Sequence, residues 1–197
     1  LKSLGIGFDF GFMLFQPEST FSTIKKNLNF LSQICGDGYS PVTFLKMLPF
    51  FETEVERKLR KEGRLTGEPG WLDYSFLDES LNRYYDFIEE CFPDWLRSPD
   101  GLLNMSRWAR NYVLLYSFFF KPTQEIRILS GKINKVISDV NNFLLDTMKK
   151  LADQYGSGYY NNGNHSDGLR KVSDEIKSRH TFFKNQINNC LNQMFYL

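Results

Sequence analysis

Apolar and polar positions alternate along the first part of the chain. Between Leu4 and Phe15 every even position is bulky and apolar, whereas three of the odd positions are glycine. Because successive side chains of a strand point to opposite faces, this period of two predicts a strand over 5–15. One face would be apolar enough to pack against helices. The other would leave room for a ligand or for a closely approaching backbone.

The residues after this strand predict a helix. Pro17 ends the strand, and Ser19 or Thr20 can cap the next helix by accepting hydrogen bonds from its free amide groups. Apolar residues then recur at helical spacing, at Phe21, Ile24, Leu28, Leu31 and Ile34.

A second strand is predicted over 42–48, where β-branched and aromatic residues precede Pro49. A charged helix over 52–62 should follow it, with Val55 and Leu59 facing inward and its glutamates in solvent. Because a whole helix separates the two strands, they should pair in parallel.

From Trp71 onward the pattern predicts helices alone. Asp78 is the expected N-cap of one helix, which ends at Pro93, and Pro99 and Pro122 open two more.

The helix opened at Pro122 is long, and a last helix carries apolar residues from Leu169 onward, close to a heptad seam. These two helices should form an antiparallel hairpin. The aperiodic, glycine-rich run over 156–168 between them is predicted to be a mobile loop.

Composition narrows the possible partners. The 197 residues carry a formal charge of +1, so no bulk electrostatic attraction favours nucleic acid or an anionic membrane. No stretch is long and apolar enough to span a bilayer, and no convincing signal peptide precedes the first strand. We therefore expect a cytoplasmic protein without a nucleic-acid or membrane partner. Because the chain begins with Leu1 rather than Met, we also expect it to be a piece of a longer protein.

The three cysteines, Cys35, Cys91 and Cys190, lie far apart in the sequence and form no CxxC or CxxxCxxC motif. No local metal or iron–sulfur cradle is therefore predicted. Buried thiols in a reducing compartment are the favoured interpretation.

Two stretches resemble the late part of the radical S-adenosylmethionine barrel, particularly in enzymes that also carry a cobalamin domain. The run Gly11-Phe12-Met13-Leu14-Phe15-Gln16-Pro17-Glu18 is similar to the fifth-strand motif GxIxGxxE. Gly11, Met13 and Glu18 occupy the Gly, Ile and Glu places, and Phe15 replaces the second glycine. Residues 44–53 and 59–65 resemble the sixth strand, the final barrel helix and its EGRL end, and 74–78 resembles a segment that often follows.

The resemblance implies that 1–70 is a partial (β/α) barrel piece of two parallel strands, and that 71–197 is a helical C-terminal region with a long helical hairpin. It also implies that Gly11, Met13 and Glu18 belong to the cofactor-binding wall. Met13 would touch the adenine, and Glu18 would support the strand exit.

The cofactors implied for the parent protein are S-adenosylmethionine and a [4Fe–4S] cluster, with cobalamin added in the branch that carries a cobalamin domain. The parent would transfer or rearrange groups, or methylate, on a small-molecule or peptide substrate. This chain lacks the CxxxCxxC loop, so it is expected to hold no cofactor and to be inactive alone. Its expected partner is the missing N-terminal barrel half or another copy of itself.

Structural roles compete with these functional ones. Met13 and the glycines could line a packed interior, and Asp9 could make structural hydrogen bonds. Glu18 could interact with the positive end of the dipole of the helix that follows it. His165 and His180 share no metal-ligand motif. The alternative function is a non-enzymatic helical protein-interaction module. The aromatic run over 112–120 would then belong either to the core or to a protein interface. A CxxxCxxC motif upstream in the same gene would separate the two functions.

Overall fold

The protein is mostly helical. The computed structural model describes residues 1–6, 8–121, 123–161 and 165–194. Helices hold 67% of the chain, which confirms the predicted dominance of helix over strand. A small parallel sheet near the amino terminus is followed by a helical C-terminal region, as predicted.

The first sheet pairs β1 (Met13–Phe15) with β2 (Leu45–Lys46), and α1 (Phe21–Cys35) connects them. The strands run parallel, which confirms that prediction. Helix α1 starts at a capping box in which the Thr20 hydroxyl accepts a hydrogen bond from the Thr23 amide.

Both strands are shorter than predicted, because side chains form hydrogen bonds with backbone groups that a strand ladder would otherwise use. The hydroxyls of Ser40 and Thr43 donate to the carbonyls of Phe8 and Phe10, at 3.2 and 2.7 Å. The Val42 amide donates to the side chain of Asn141 instead of to a strand. Segments 8–12 and 40–44 therefore lie side by side with few ladder hydrogen bonds.

The predicted two-faced alternation is wrong within β1 itself. Leu14 and Phe15 are both fully buried, whereas Met13 is 53% exposed. The pairing register shifts between Met13 and Phe15, and an irregularity of this kind breaks the period of two.

Helix α2 (Glu54–Lys61) buries a face that differs from the predicted one. Leu59 is buried as expected, but Val55 is exposed and Glu56 is buried in its place. The Glu56 carboxylate accepts hydrogen bonds from Arg60, one turn further along the helix, which satisfies its charge.

An antiparallel hairpin of β3 (Leu65–Glu68) and β4 (Trp71–Tyr74) follows. The prediction that only helices lie beyond Trp71 is therefore wrong at this point. The overlooked signal is the Pro69-Gly70 dipeptide, since such pairs mark turns and Gly70 adopts a φ of 99°. The predicted boundary at residue 70 falls in this turn.

Five helices complete the chain. They are α3 (Glu79–Cys91), α4 (Pro93–Leu96), α5 (Leu102–Phe119), α6 (Gln124–Gly156) and α7 (His165–Met194). The short α4 was not predicted, and Asp78 caps α3 as expected, through the amide of Ser80.

Helix α6 is the centre of the fold, since it packs against α1, α3, α5 and α7. Its amino end and the carboxyl end of α7 line one small cavity, so the two helices are antiparallel. Helix α6 continues to Gly156, and a 3₁₀ turn over Tyr159–Asn161 follows. Part of the predicted loop is thus helical, while 162–164 lies outside the described residues.

One hydrophobic core joins the sheet to the helices. It includes Leu14 of β1, Leu28 of α1, Tyr84 of α3 and Ile137 of α6. Segments on both sides of residue 70 therefore contribute to the same core. No helix in the described ranges has the length and apolarity needed to cross a membrane.

Candidate functional site

Glu18 lies just beyond the carboxyl end of β1 and is held by two basic side chains. Its Oε1 accepts a hydrogen bond from Lys58 Nζ at 2.7 Å and lies 3.4 Å from Arg64 Nη2. The hydrogen bond from Lys58 lowers the pKa of the Glu18 carboxyl. The carboxylate is about half exposed, and its bond to Lys58 links α2 to the segment that follows β1.

Arg64 is the buried centre of this contact. Its Nη1 donates to the carbonyls of Pro17 and Ser75 at 2.9 and 3.0 Å, and its Nη2 donates to Glu62 at 2.6 Å. Three of the segments that carry the family resemblance, 11–18, 59–65 and 74–78, therefore meet at one guanidinium.

Gly11, Met13 and Glu18 do not converge on one point. Met13 lies opposite Leu45 in the parallel register, and these two apolar side chains are 53% and 64% exposed. Space is open around Gly11, where an added Cβ would meet no atom within 4 Å. Gly11 lines a cleft, whereas Met13 and Glu18 lie outside it.

This cleft, which we call the aromatic cleft, encloses about 450 Å³. Its wall includes Asp9 to Gly11, which precede β1, and Thr43 and Phe44, which precede β2. The lining also includes Phe15 of β1 and Leu45 and Lys46 of β2, so the cleft extends from these leading segments along both strands.

The floor of the aromatic cleft is formed by Phe10, Phe15, Phe44 and Tyr85. The Phe15 ring meets the rings of Phe44 and Tyr85 edge-on, with centroids 6.2 and 5.0 Å apart. Burial raises the pKa of Tyr85 to about 12, so its phenol stays neutral near neutral pH.

Basic side chains from three elements line the cleft. Arg97 pairs with Glu89, and Arg107 Nε lies 2.8 Å from Asp9 Oδ2 without the alignment of a hydrogen bond. Lys46 of β2 is the third. The cleft thus combines an apolar floor with fixed charges of both signs.

Lys46 is enclosed by aromatic rings, which sequence reasoning did not foresee. Its side chain is 8% exposed, and Nζ lies 2.6 Å from Asp73 Oδ1 and donates to the Tyr74 carbonyl at 2.8 Å. The ammonium also lies 4.4 to 5.1 Å from the ring centroids of Tyr74, Phe76 and Tyr85. These partners come from β4, from the segment that follows it and from α3, so no local sequence motif predicts them.

A smaller pocket of about 240 Å³ adjoins the Asp9–Arg107 pair. We call it the Arg110 pocket; besides that pair it is lined by Phe8, Tyr39, Pro41, Arg110, Asn111 and Leu114.

Helix α6 fixes the loop that supplies Tyr39 to this pocket. The Asn141 amide nitrogen donates to the carbonyls of Cys35 and Ser40, at 2.6 and 2.9 Å. The Ser138 hydroxyl donates to the Gly36 carbonyl at 2.6 Å. These bonds anchor both ends of the loop, so Tyr39 is presented from a rigid support.

The cysteines lie buried and unpaired, as predicted. Burial raises the pKa of Cys35 to about 11 and also raises those of Cys91 and Cys190, so the thiols stay protonated near neutrality. Among the described side chains, no group of three His, Cys, Asp or Glu could hold a metal ion. The His180 ring packs near Trp95, and the side chain of His165 lies outside the described part.

No protein-family model matches the chain, and neither the curated proteins nor the solved structures contain a significant match.

Proposed function

We propose that the chain is the C-terminal part of a radical S-adenosylmethionine enzyme. In this proposal β1 and β2 contribute to the adenosyl-binding wall of a barrel, and the helices from α3 onward cover its substrate region. The observation that carries the proposal is the meeting at Arg64 of three of the segments that resemble the family. Residues up to 47 positions apart in the sequence are joined there.

The sheet also favours a larger assembly of strands. It contains two strands in the described residues, so each has an unpaired edge. Parallel sheets are normally larger and covered on both faces, and a two-stranded sheet is marginal in water. Additional barrel strands would pair these edges and would cover the exposed side chains of Met13 and Leu45.

The residues present suit contact with the adenosyl group but not ligation of the cluster. Met13 offers an exposed apolar side chain, and the open space at Gly11 would allow close approach to its backbone. Glu18 and Arg64 would hold in place the segment that follows β1. When bound in the parent, the cluster would supply the electron that cleaves S-adenosylmethionine; its thiolate ligands must come from outside the described residues.

The test uses the protein encoded by the whole gene. After anaerobic reconstitution with iron and sulfide, we expect it to bind S-adenosylmethionine and to form 5′-deoxyadenosine on reduction. The 197-residue chain alone, treated in the same way, should form none.

Met13→Asp in the whole protein should weaken S-adenosylmethionine binding by about tenfold or more, since a charge would replace an apolar contact. Ile128→Asp, at a similarly exposed apolar position of α6, should leave the affinity unchanged. A whole protein that forms no 5′-deoxyadenosine, or a Met13→Asp protein with undiminished affinity, would contradict the proposal.

A helical interaction module is the second candidate, and the exposed face of α5 favours it. Trp108, Leu115 and Phe118 to Phe120 are all exposed apolar side chains on or next to this helix. This candidate predicts that the gene encodes no CxxxCxxC motif and that a protein partner binds this face. A reconstituted whole protein with radical activity would exclude it.

A further inference from the structure

We propose that the Arg110 pocket binds a small oxyanion, the carboxylate or phosphate group of a small molecule. Arg110 would be its principal donor, and Arg107 and the Tyr39 hydroxyl would add further hydrogen bonds. This site lies at the amino ends of the strands and does not depend on radical chemistry.

Arg110 is a buried cation without a counter-charge. The residue is 7% exposed, and it forms no ion pair with any carboxylate that the structure describes. Burial of an unpaired charge is costly, so such groups normally have a partner of opposite charge. An anion in the adjoining pocket would supply one.

The contacts of Arg110 leave the Nε–Nη2 edge of its guanidinium without an acceptor among the described residues. Its Nη1 donates to Asn134 Oδ1 at 3.2 Å, and its planar face lies on the Tyr39 ring, 3.9 Å from the centroid. Nε has no hydrogen-bond partner in the described structure. The Nε–Nη2 edge is the fork that binds carboxylate or phosphate through two parallel hydrogen bonds.

Other donors at this pocket lack a hydrogen-bond partner. Tyr39 Oη and Arg110 Nε are both buried without one in the described structure, and both residues line the pocket. Arg107 Nε also lacks an aligned hydrogen bond, although it lies 2.8 Å from Asp9 Oδ2. Because buried polar atoms are nearly always paired, two unpaired donors at one cavity indicate a missing acceptor.

The charge of the pocket selects an anion over a cation. Its lining contains two guanidinium groups and the carboxylate of Asp9, so it is positive overall. Helix α6 holds the Tyr39 loop in place beforehand, which lowers the entropy cost of binding. The adjoining aromatic cleft shares Asp9 and Arg107 and could hold the rest of a larger ligand.

The experiment titrates the purified chain with inorganic phosphate and, separately, with succinate, by calorimetry at constant ionic strength. We expect saturable binding of at least one anion. The anion that binds with the higher affinity shows whether the pocket prefers a phosphate or a carboxylate group. Arg110→Met should weaken that binding by at least about tenfold. Arg127→Met removes the same charge from an exposed position of α6 and should leave binding unchanged.

Tyr39→Phe keeps the proposal testable if Arg110→Met fails to fold. It removes only the hydroxyl, and we expect a severalfold weaker affinity with an unchanged circular dichroism spectrum. The amide resonances of Tyr39 and Asn111 should shift on titration. Absence of saturable binding of both anions, or equal weakening by Arg127→Met, would overturn the proposal.

Discussion

Arg64 donates to two backbone carbonyls and to the carboxylates of Glu62 and Glu18, so its loss would affect three segments together. Its guanidinium is buried against the carbonyls of Pro17 and Ser75, and the Ser75 amide in turn donates to the Arg64 carbonyl. Removal of the side chain would leave buried acceptors without donors, which costs more than the net value of the bonds themselves.

We therefore predict that Arg64→Met lowers the free energy of unfolding by about 2 to 4 kcal/mol. Urea denaturation followed by circular dichroism measures this. Lys61→Met removes the same charge from the exposed side of α2 and should change stability by less than about 0.5 kcal/mol. Equal effects of the two substitutions would mean that only the charge matters.

Asp100 illustrates a pH-dependent contact between α7 and the segment before α5. Hydrogen bonds from Lys184, at 2.6 Å, and from Ser98 hold the pKa of Asp100 at about 2, below its ordinary value of 3.8. Because the folded-state pKa is depressed, the carboxylate stabilises the fold above pH 3.8. That stabilisation is lost as the pH falls through 2.

Asp100→Asn should therefore be less stable than the wild type near neutral pH, and the difference should vanish as the pH falls from about 4 to 2. Chemical denaturation across this range measures it. In a Lys184→Met background the same substitution should have a much smaller effect. A difference that persists unchanged at pH 2 would show that the contact does not act through the charge.

Local sequence was sufficient for some of these residues and not for others. The caps at Thr20 and Asp78 could be predicted because their hydrogen bonds reach only two or three residues along the chain. Lys46 and Arg110 could not, because their hydrogen-bond partners lie 24 to 28 residues away and meet them only after packing.

At the level of elements, α6 acts as the support on which the loop before β2 is built. The loop crosses the helix so closely that a Cβ at Gly38 would lie 2.0 Å from the Asn134 carbonyl oxygen. Gly38 also has a φ of 75°, which disfavours other residues. Gly131, in α6 itself, has no atom within 4 Å of its Cβ position and has helical geometry.

These two glycines should respond in opposite directions. Gly38→Ala should destabilise the fold by about 3 kcal/mol through the clash and the unfavourable φ. Gly131→Ala should stabilise it by about 0.5 to 1 kcal/mol, because alanine favours helix and restricts the unfolded chain. Thermal unfolding of both proteins tests this, and the same sign for both would contradict it.

The elements were predicted correctly where a periodic apolar pattern extends over many residues. They were predicted wrongly where tertiary contacts override the local pattern. The apolar stripe of α6 extends over many turns, so its existence was unambiguous. The strands shortened because Ser40, Thr43 and Asn141 satisfy backbone groups that a ladder would have used. The β3–β4 hairpin is only eight strand residues long, and its turn dipeptide was its main signal.

At the level of the whole molecule, exposed apolar side chains cluster at the end of α5. Phe10 and Phe12 of the amino-terminal segment pack partly against the core. Phe118, by contrast, is 81% exposed, and Phe119 and Phe120 are nearly as accessible. Three consecutive exposed phenylalanines at the end of α5 are costly in water unless they meet another surface.

We therefore predict that the 23.1 kDa chain self-associates, and that contacts of Phe118 and Phe119 hold the copies together. Sedimentation velocity over a range of micromolar concentrations should give a mass above that of the monomer. Phe118→Ser with Phe119→Ser should shift it to the monomer without loss of helical circular dichroism, because both side chains lie outside the core. Phe50→Ser, at an exposed position beyond β2, should leave the association unchanged. A wild-type chain that remains monomeric at all concentrations would contradict the prediction. Association of the double variant would show that other residues form the contact.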